Sequence, residues 1–69
     1  MPYVNIKITR EQEPITQQQK AALIKGVTEL LVQIINRGPK TTVVVIDEIE
    51  TDNYGVGAES ITVRRRKGL

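Results

Sequence analysis

Thr41-Thr42-Val43-Val44-Val45-Ile46 is a run of β-branched residues without polar alternation. That is the pattern of a strand covered on both faces. Gly38 and Pro39 stand just before it and close a helix. A glycine can take the left-handed conformation after the last turn, and a proline beyond it cannot continue one. Upstream, Leu23, Ile24, Val27, Leu30, Leu31, Ile34 and Ile35 recur at a spacing that keeps them on one helical stripe. Gly26 lies within that helix and costs about 1 kcal/mol relative to alanine. The helix opens at Thr16, followed by Gln19 in the relation of a capping box. Residues 10–15 carry charge and Pro14 and read as a loop. From Tyr3 to Thr9, apolar Val4, Ile6 and Ile8 alternate with Asn5 and Lys7, the period of a strand with one buried face.

Strand, helix and strand in this order predict a parallel pair joined by a right-handed crossover. One helix covers one face of a two-stranded sheet, so the second face of Val43–Ile46 calls for another subunit. Downstream, residues 47–53 form an acidic loop, Tyr54–Ala58 a glycine-containing turn, and Ser60–Val63 a short third strand. The expected fold is therefore α+β. A single β-α-β unit with a short C-terminal strand occupies residues 1–69 as one domain, ends in a basic tail from about residue 64, and assembles into oligomers.

Size points the same way. A chain of 69 residues buries only about 60% of the surface its unfolded form exposes and needs further support. Cysteine and histidine are both absent. This excludes disulfides, thiol and imidazole catalysis, and the usual zinc ligands. Oligomerisation is the support that remains. No apolar run reaches the ~18 residues of a membrane span and no signal sequence opens the chain, so a cytoplasmic protein with no membrane partner is expected. The formal net charge is +2, and its excess lies in Arg64, Arg65, Arg66 and Lys67.

With histidine and cysteine absent, the bases available are carboxylates, lysines, tyrosines and the chain terminus. Met1 precedes Pro2, a small residue that permits methionine removal, so a secondary amine can become the terminus at the edge of a strand. A free α-amine titrates at about 7.7–8.0, and desolvation or neighbouring cations bring it toward the range of a good general base.

The opening Met-Pro-Tyr-Val-Asn-Ile-Lys-Ile resembles the first strand of the 4-oxalocrotonate tautomerase family. Gln19-Lys20 with Leu23-Ile24 and Val27 is similar to the family helix, Val43–Glu48 to its second strand, and Tyr54-Gly55-Val56-Gly57 to its aromatic-Gly-aliphatic-Gly turn. The likeness runs from Pro2 to about Val63. It implies a hexamer of such units, a trimer of dimers, in which the N-terminal proline moves a proton between enol or dienol and keto forms of an unsaturated 2-hydroxy or 2-keto acid. Carried over by position, Pro2 is the catalytic base, Tyr54 the site-lining aromatic and Val56 an apolar wall. No metal or organic cofactor is implied. Two departures stand out. Val43 occupies the place of a family arginine, and the insertion at residues 10–15 leaves Arg10 as the only arginine near a second one, hence the candidate substrate-binding cation.

Competing readings remain for several features. Asp47, Glu48, Glu50 and Asp52 lack calcium-loop spacing and read as a solvated acidic loop. Gly55-Val56-Gly57 has no third glycine or following helix for a dinucleotide fingerprint. Tyr54 serves equally well as an interface or core aromatic. The Arg64–Lys67 cluster suggests a second function class, a small non-catalytic oligomer binding nucleic acid, but no aromatic platform or second basic patch accompanies it.

Overall fold

A computed structural model describes all residues, Met1–Leu69. Its order is β1 (Tyr3–Thr9), α1 (Gln17–Ile35), β2 (Val43–Ile49), a 3-10 turn (Thr51–Asn53), β3 (Gly55–Val56), β4 (Glu59–Ser60) and α2 (Ile61–Arg66). The alternating segment forms β1 within the expected bounds. The capping box is complete: the Thr16 side chain accepts from the Gln19 backbone N–H, and the Gln19 side chain accepts from that of Thr16.

β1 and β2 form a two-stranded sheet. The Val43 N–H donates to the Pro2 carbonyl at 3.0 Å, and the Arg10 N–H to that of Ile49 at 2.7 Å. Start thus meets start and end meets end, so the pair is parallel. In a parallel ladder these bonds set Pro2 opposite Thr42 and Arg10 opposite Glu50, a constant offset of 40 residues. Val4, Ile6 and Ile8 then share a face with Val44 and Ile46. The opposite face carries Tyr3, Asn5, Val43, Val45 and Asp47. Tyr3 on that second face is 66% exposed and Val43 is also exposed, so the chain alone leaves this face open.

Three expectations need correction. The helix is closed by Asn36 in the left-handed region (φ 53°), two residues before Gly38; asparagine tolerates that region. β2 continues to Ile49, because Asp47 is accommodated in the strand by the Asn5 amide, which donates to its Oδ2 at 3.0 Å. The C-terminal strand is β4 and stops at Ser60, so the strand expected at Ser60–Val63 is instead mostly helix. The Ser60 hydroxyl accepts from the Val63 N–H and starts α2, overriding the β-branched Ile61-Thr62-Val63.

The chain divides into two compact units. The first contains residues 1–6 and 15–47, the second residues 7–14 and 48–69. In the first, α1 exposes Leu30 (53%) and Ile34 (70%) along with Leu23, an apolar edge along one side of the helix. In the second, β3 and β4 pair antiparallel with Val56 opposite Glu59, leaving Gly57-Ala58 as a two-residue turn. Both turn residues have positive φ, 60° and 72°, as a type I′ hairpin requires.

No side chain in the chain is fully buried. The accessible surface is 5483 Å². A compact monomer of 7.7 kDa has about 4,300 Å².

Candidate active site

Pro2 immediately precedes β1, where its missing N–H breaks no ladder bond and its carbonyl still accepts from Val43. The half-buried ring lies against Gly38. A Cβ added at Gly38 would come within 2.9 Å of both Pro2 Cγ and Cδ and would collide with Thr42 Oγ1. Gly38 also has φ 77°, so its backbone and its surroundings both demand glycine. Its carbonyl accepts from the Thr42 hydroxyl at 2.7 Å and from the Thr42 N–H at 3.2 Å, which ties the turn to the start of β2. Met1, by contrast, is 92% exposed.

Arg10, Tyr54 and Val56 belong to the second unit and Pro2 to the first. Arg10 leaves the end of β1 with its Nε 3.8 Å from Glu50 Oε1, in a half-exposed pair that follows from the strand register. Tyr54 is half-buried at the end of the 3-10 turn, and its carbonyl accepts from the Ile61 N–H at 2.8 Å, joining turn to α2. Val56 is exposed on β3. A cavity of about 300 Å³ lined by Thr28, Glu29, Val32, Gln33 and Pro39 includes none of these four residues.

The arginines expected as a solvated tail lie in α2. Arg65 grips Glu11 with both terminal nitrogens, each at 2.9 Å. The hydrogen bond from Arg65, with a second from Thr9, holds the Glu11 carboxyl at about 2, and the same pair raises the Arg65 guanidinium. Lys67 pairs with Glu59. Arg64 is half-buried with Nη1 3.6 Å from the place of a Gly57 Cβ, so its guanidinium lies over the hairpin turn. In the sequence, Gly38 reads only as a helix terminator. Its contact with Pro2 depends on folding and carries no local signal beyond the glycine itself.

The family profile described as Tautomerase enzyme matches residues 2–64. A protein named Probable tautomerase K2 from Dickeya dadantii is 55% identical over 67 residues, covering 97% of each chain. The 2-hydroxymuconate tautomerase of Bacillus subtilis is 32% identical over 62 residues, covering 90% of this chain and 95% of its own. The crystal structure of DmpI from Helicobacter pylori superimposes with a TM-score of 0.86 at 42% identity, covering 94% of this chain and 97% of that one.

Proposed function

The chain belongs to the tautomerase family, and from that premise we propose that it isomerises an unsaturated 2-hydroxy or 2-keto acid between enol or dienol and keto forms, with Pro2 as general base. The observation that carries this reading is the seating of Pro2. Its ring packs on Gly38 and its carbonyl is bonded to β2, while the exposed Met1 can be removed without disturbing packing.

Once Met1 is gone, the Pro2 nitrogen is a secondary amine with a lone pair. Neutral Pro2 takes the proton of a 2-hydroxy-dienoate or an enol. The electron pair moves through the conjugated system, and the protonated proline returns the proton to a distal carbon. Arg10 supplies positive charge to the developing oxyanion or to a carboxylate. Tyr54 and Val56 form the wall on which the unsaturated chain rests, in the same copy or a neighbouring one.

The active form is a homo-oligomer, six chains as a trimer of dimers. Support comes from the open second face of the sheet, the apolar edge of α1 and the absence of any fully buried side chain. The alternative, nucleic-acid binding through the basic C-terminus, loses ground because Arg65 and Lys67 are already engaged by Glu11 and Glu59.

An amide nitrogen is not basic, so protein that retains Met1 is expected to be inactive. The processed enzyme should speed up with rising pH through the neutral range as its terminal amine loses its proton. Intact-mass measurement paired with an enol ketonisation assay tests both points. Full activity with Met1 on every chain would eliminate Pro2 as base. Sedimentation of the same sample counts the copies, and a well-folded monomer at micromolar concentration would remove the argument from the open sheet face.

A further inference from the structure

The candidate substrate cation, Arg10, sits on a segment that apolar burial does not hold. Residues 10–14 are all exposed and belong to no helix or strand. The Arg10 N–H is bonded to the Ile49 carbonyl, which fixes where the segment leaves β1. Beyond that point its anchor is Glu11. Arg65 reaches the two oxygens of the Glu11 carboxylate with its two terminal nitrogens, each at 2.9 Å, and the Thr9 hydroxyl donates to the same carboxylate. Two parallel bonds from a planar guanidinium fix direction as well as distance, which a single point contact does not. The hydrogen bonds from Arg65 and then Thr9 hold the Glu11 carboxyl at about 2, so the fork stays charged throughout the neutral range.

At the other end of the fork, α2 is itself tied down. The Ser60 hydroxyl caps it, and the Ile61 N–H is bonded to the Tyr54 carbonyl. The Thr62 hydroxyl donates to Asp52 and accepts from the Thr51 hydroxyl at 2.6 Å. A continuous run of polar contacts therefore leads from the 3-10 turn through α2 and Arg65 to Glu11, the neighbour of Arg10. In extended chain, residues 9 and 11 share one side and residue 10 takes the other, so holding Thr9 and Glu11 together sets the direction of the Arg10 side chain. The contact that Arg10 makes with Glu50 is loose, 3.8 Å in an exposed pair, and a ligand anion can replace it at little cost.

We propose that the Arg65–Glu11 fork holds Arg10 in place for the substrate anion, which makes Arg65 and Glu11 positioning residues of the isomerisation. The proposal rests on the reading above in which Arg10 is the substrate cation, and its test separates the two. Processed wild type, Arg65→Gln, Arg65→Lys, Arg10→Ala and the double variant Arg10→Ala with Arg65→Gln are compared on a 2-hydroxy-dienoate. Lys67→Gln, which removes the ion pair with Glu59 near the end of α2, serves as the control. In parallel, binding of a non-isomerisable unsaturated carboxylate is followed by calorimetry, and assembly by sedimentation.

Arg10→Ala should lower kcat/KM by about 10- to 100-fold, the range of a charged hydrogen bond. Arg65→Gln should lower it by about 3- to 10-fold, through the same constant, kcat or KM, that Arg10→Ala changes. Arg65→Lys should fall between Arg65→Gln and wild type. Once Arg10 is alanine, Arg65→Gln should cost nothing further, because the residue it acts through is gone. Lys67→Gln should match wild type, and sedimentation should be the same for all. A loss that persists undiminished without Arg10, or a changed assembly, would make the fork a structural clasp and overturn the proposal, as would wild-type activity in Arg65→Gln. Protein that does not isomerise, but whose ligand binding shows the same dependence of Arg65 on Arg10, would keep the proposal and sink the catalytic reading. Active enzyme indifferent to Arg10→Ala would keep the tautomerase and remove Arg10, and the fork with it, from the site.

Discussion

Gly38 and Ala58 hold nearly the same backbone angle, φ 77° and 72°, in the two units of the chain, and they fill it with opposite choices. At Gly38 the space is closed: a methyl group would meet the Pro2 ring and the Thr42 hydroxyl. At Ala58 a methyl group is present in a conformation that L-residues adopt at a cost of about 1–2 kcal/mol. The region around Pro2 is built from backbone hydrogen bonds and one missing side chain. The hairpin region is built from exposed ion pairs, a hydroxyl cap and a turn that carries some strain. Two levels of tolerance follow, strict where the candidate base sits and loose at the hairpin.

The largest effect is expected from Gly38→Ala. The left-handed backbone and the overpacking together should destabilise by roughly 2–4 kcal/mol. Displacement of the Pro2 ring should lower kcat beyond that, since misplacing a reacting group by about 1 Å can cost 100-fold. Denaturant unfolding at one protomer concentration separates the stability loss from the catalytic one, because assembly makes stability concentration-dependent. A variant with unchanged stability and turnover would show that the Pro2 seat is as forgiving as the hairpin, and the contrast would be gone.

The same division marks what could be read in the sequence. β1 was legible because Val4, Ile6 and Ile8 alternate with polar residues, and the start of α1 because Thr16 and Gln19 are a local pair. The end of β2 was hidden because Asp47 looks like a loop residue until Asn5, 42 positions away, is found bonded to it. Ile61-Thr62-Val63 reads as strand by side-chain type, while the decisive features are the Ser60 cap and the Gly57-Ala58 turn. Those two signals are present in the sequence but weaker than a β-branched run. The Arg65–Glu11 fork joins residues 54 apart, and nothing local to either announces it. Pro2 was legible as a site candidate from its position, whereas the role of Gly38 beside it requires the fold.

Ala58→Gly sharpens the comparison from the other side. Relief of the left-handed alanine, less the added entropy of an unfolded glycine, should stabilise the chain by roughly 0.5–1 kcal/mol. The denaturant midpoint should therefore rise where Gly38→Ala makes it fall, although both substitutions exchange the same methyl group at nearly the same φ. A fall at both positions would mean that the Ala58 methyl has a contact in the assembled protein that outweighs its backbone cost.

The smallest effect concerns the ionic side of the contrast. Glu11 is depressed from an ordinary 4.5 to about 2, chiefly by the hydrogen bond from Arg65 and then by that from Thr9. A carboxylate depressed in the folded state adds stability that is complete above its unfolded value and is lost as pH falls toward the folded one. The window for this pair therefore runs from about 4.5 down to about 2. Both partners are about half exposed, so the contribution is modest and screened by salt. Glu11→Gln should be slightly less stable than wild type at neutral pH, and the gap should close through that acid window and shrink in high salt. Thermal unfolding of both proteins across the acid range reads this directly. Parallel curves down to pH 2 would mean that the fork does not hold in solution, leaving the Ser60 cap and the hairpin backbone to fix α2.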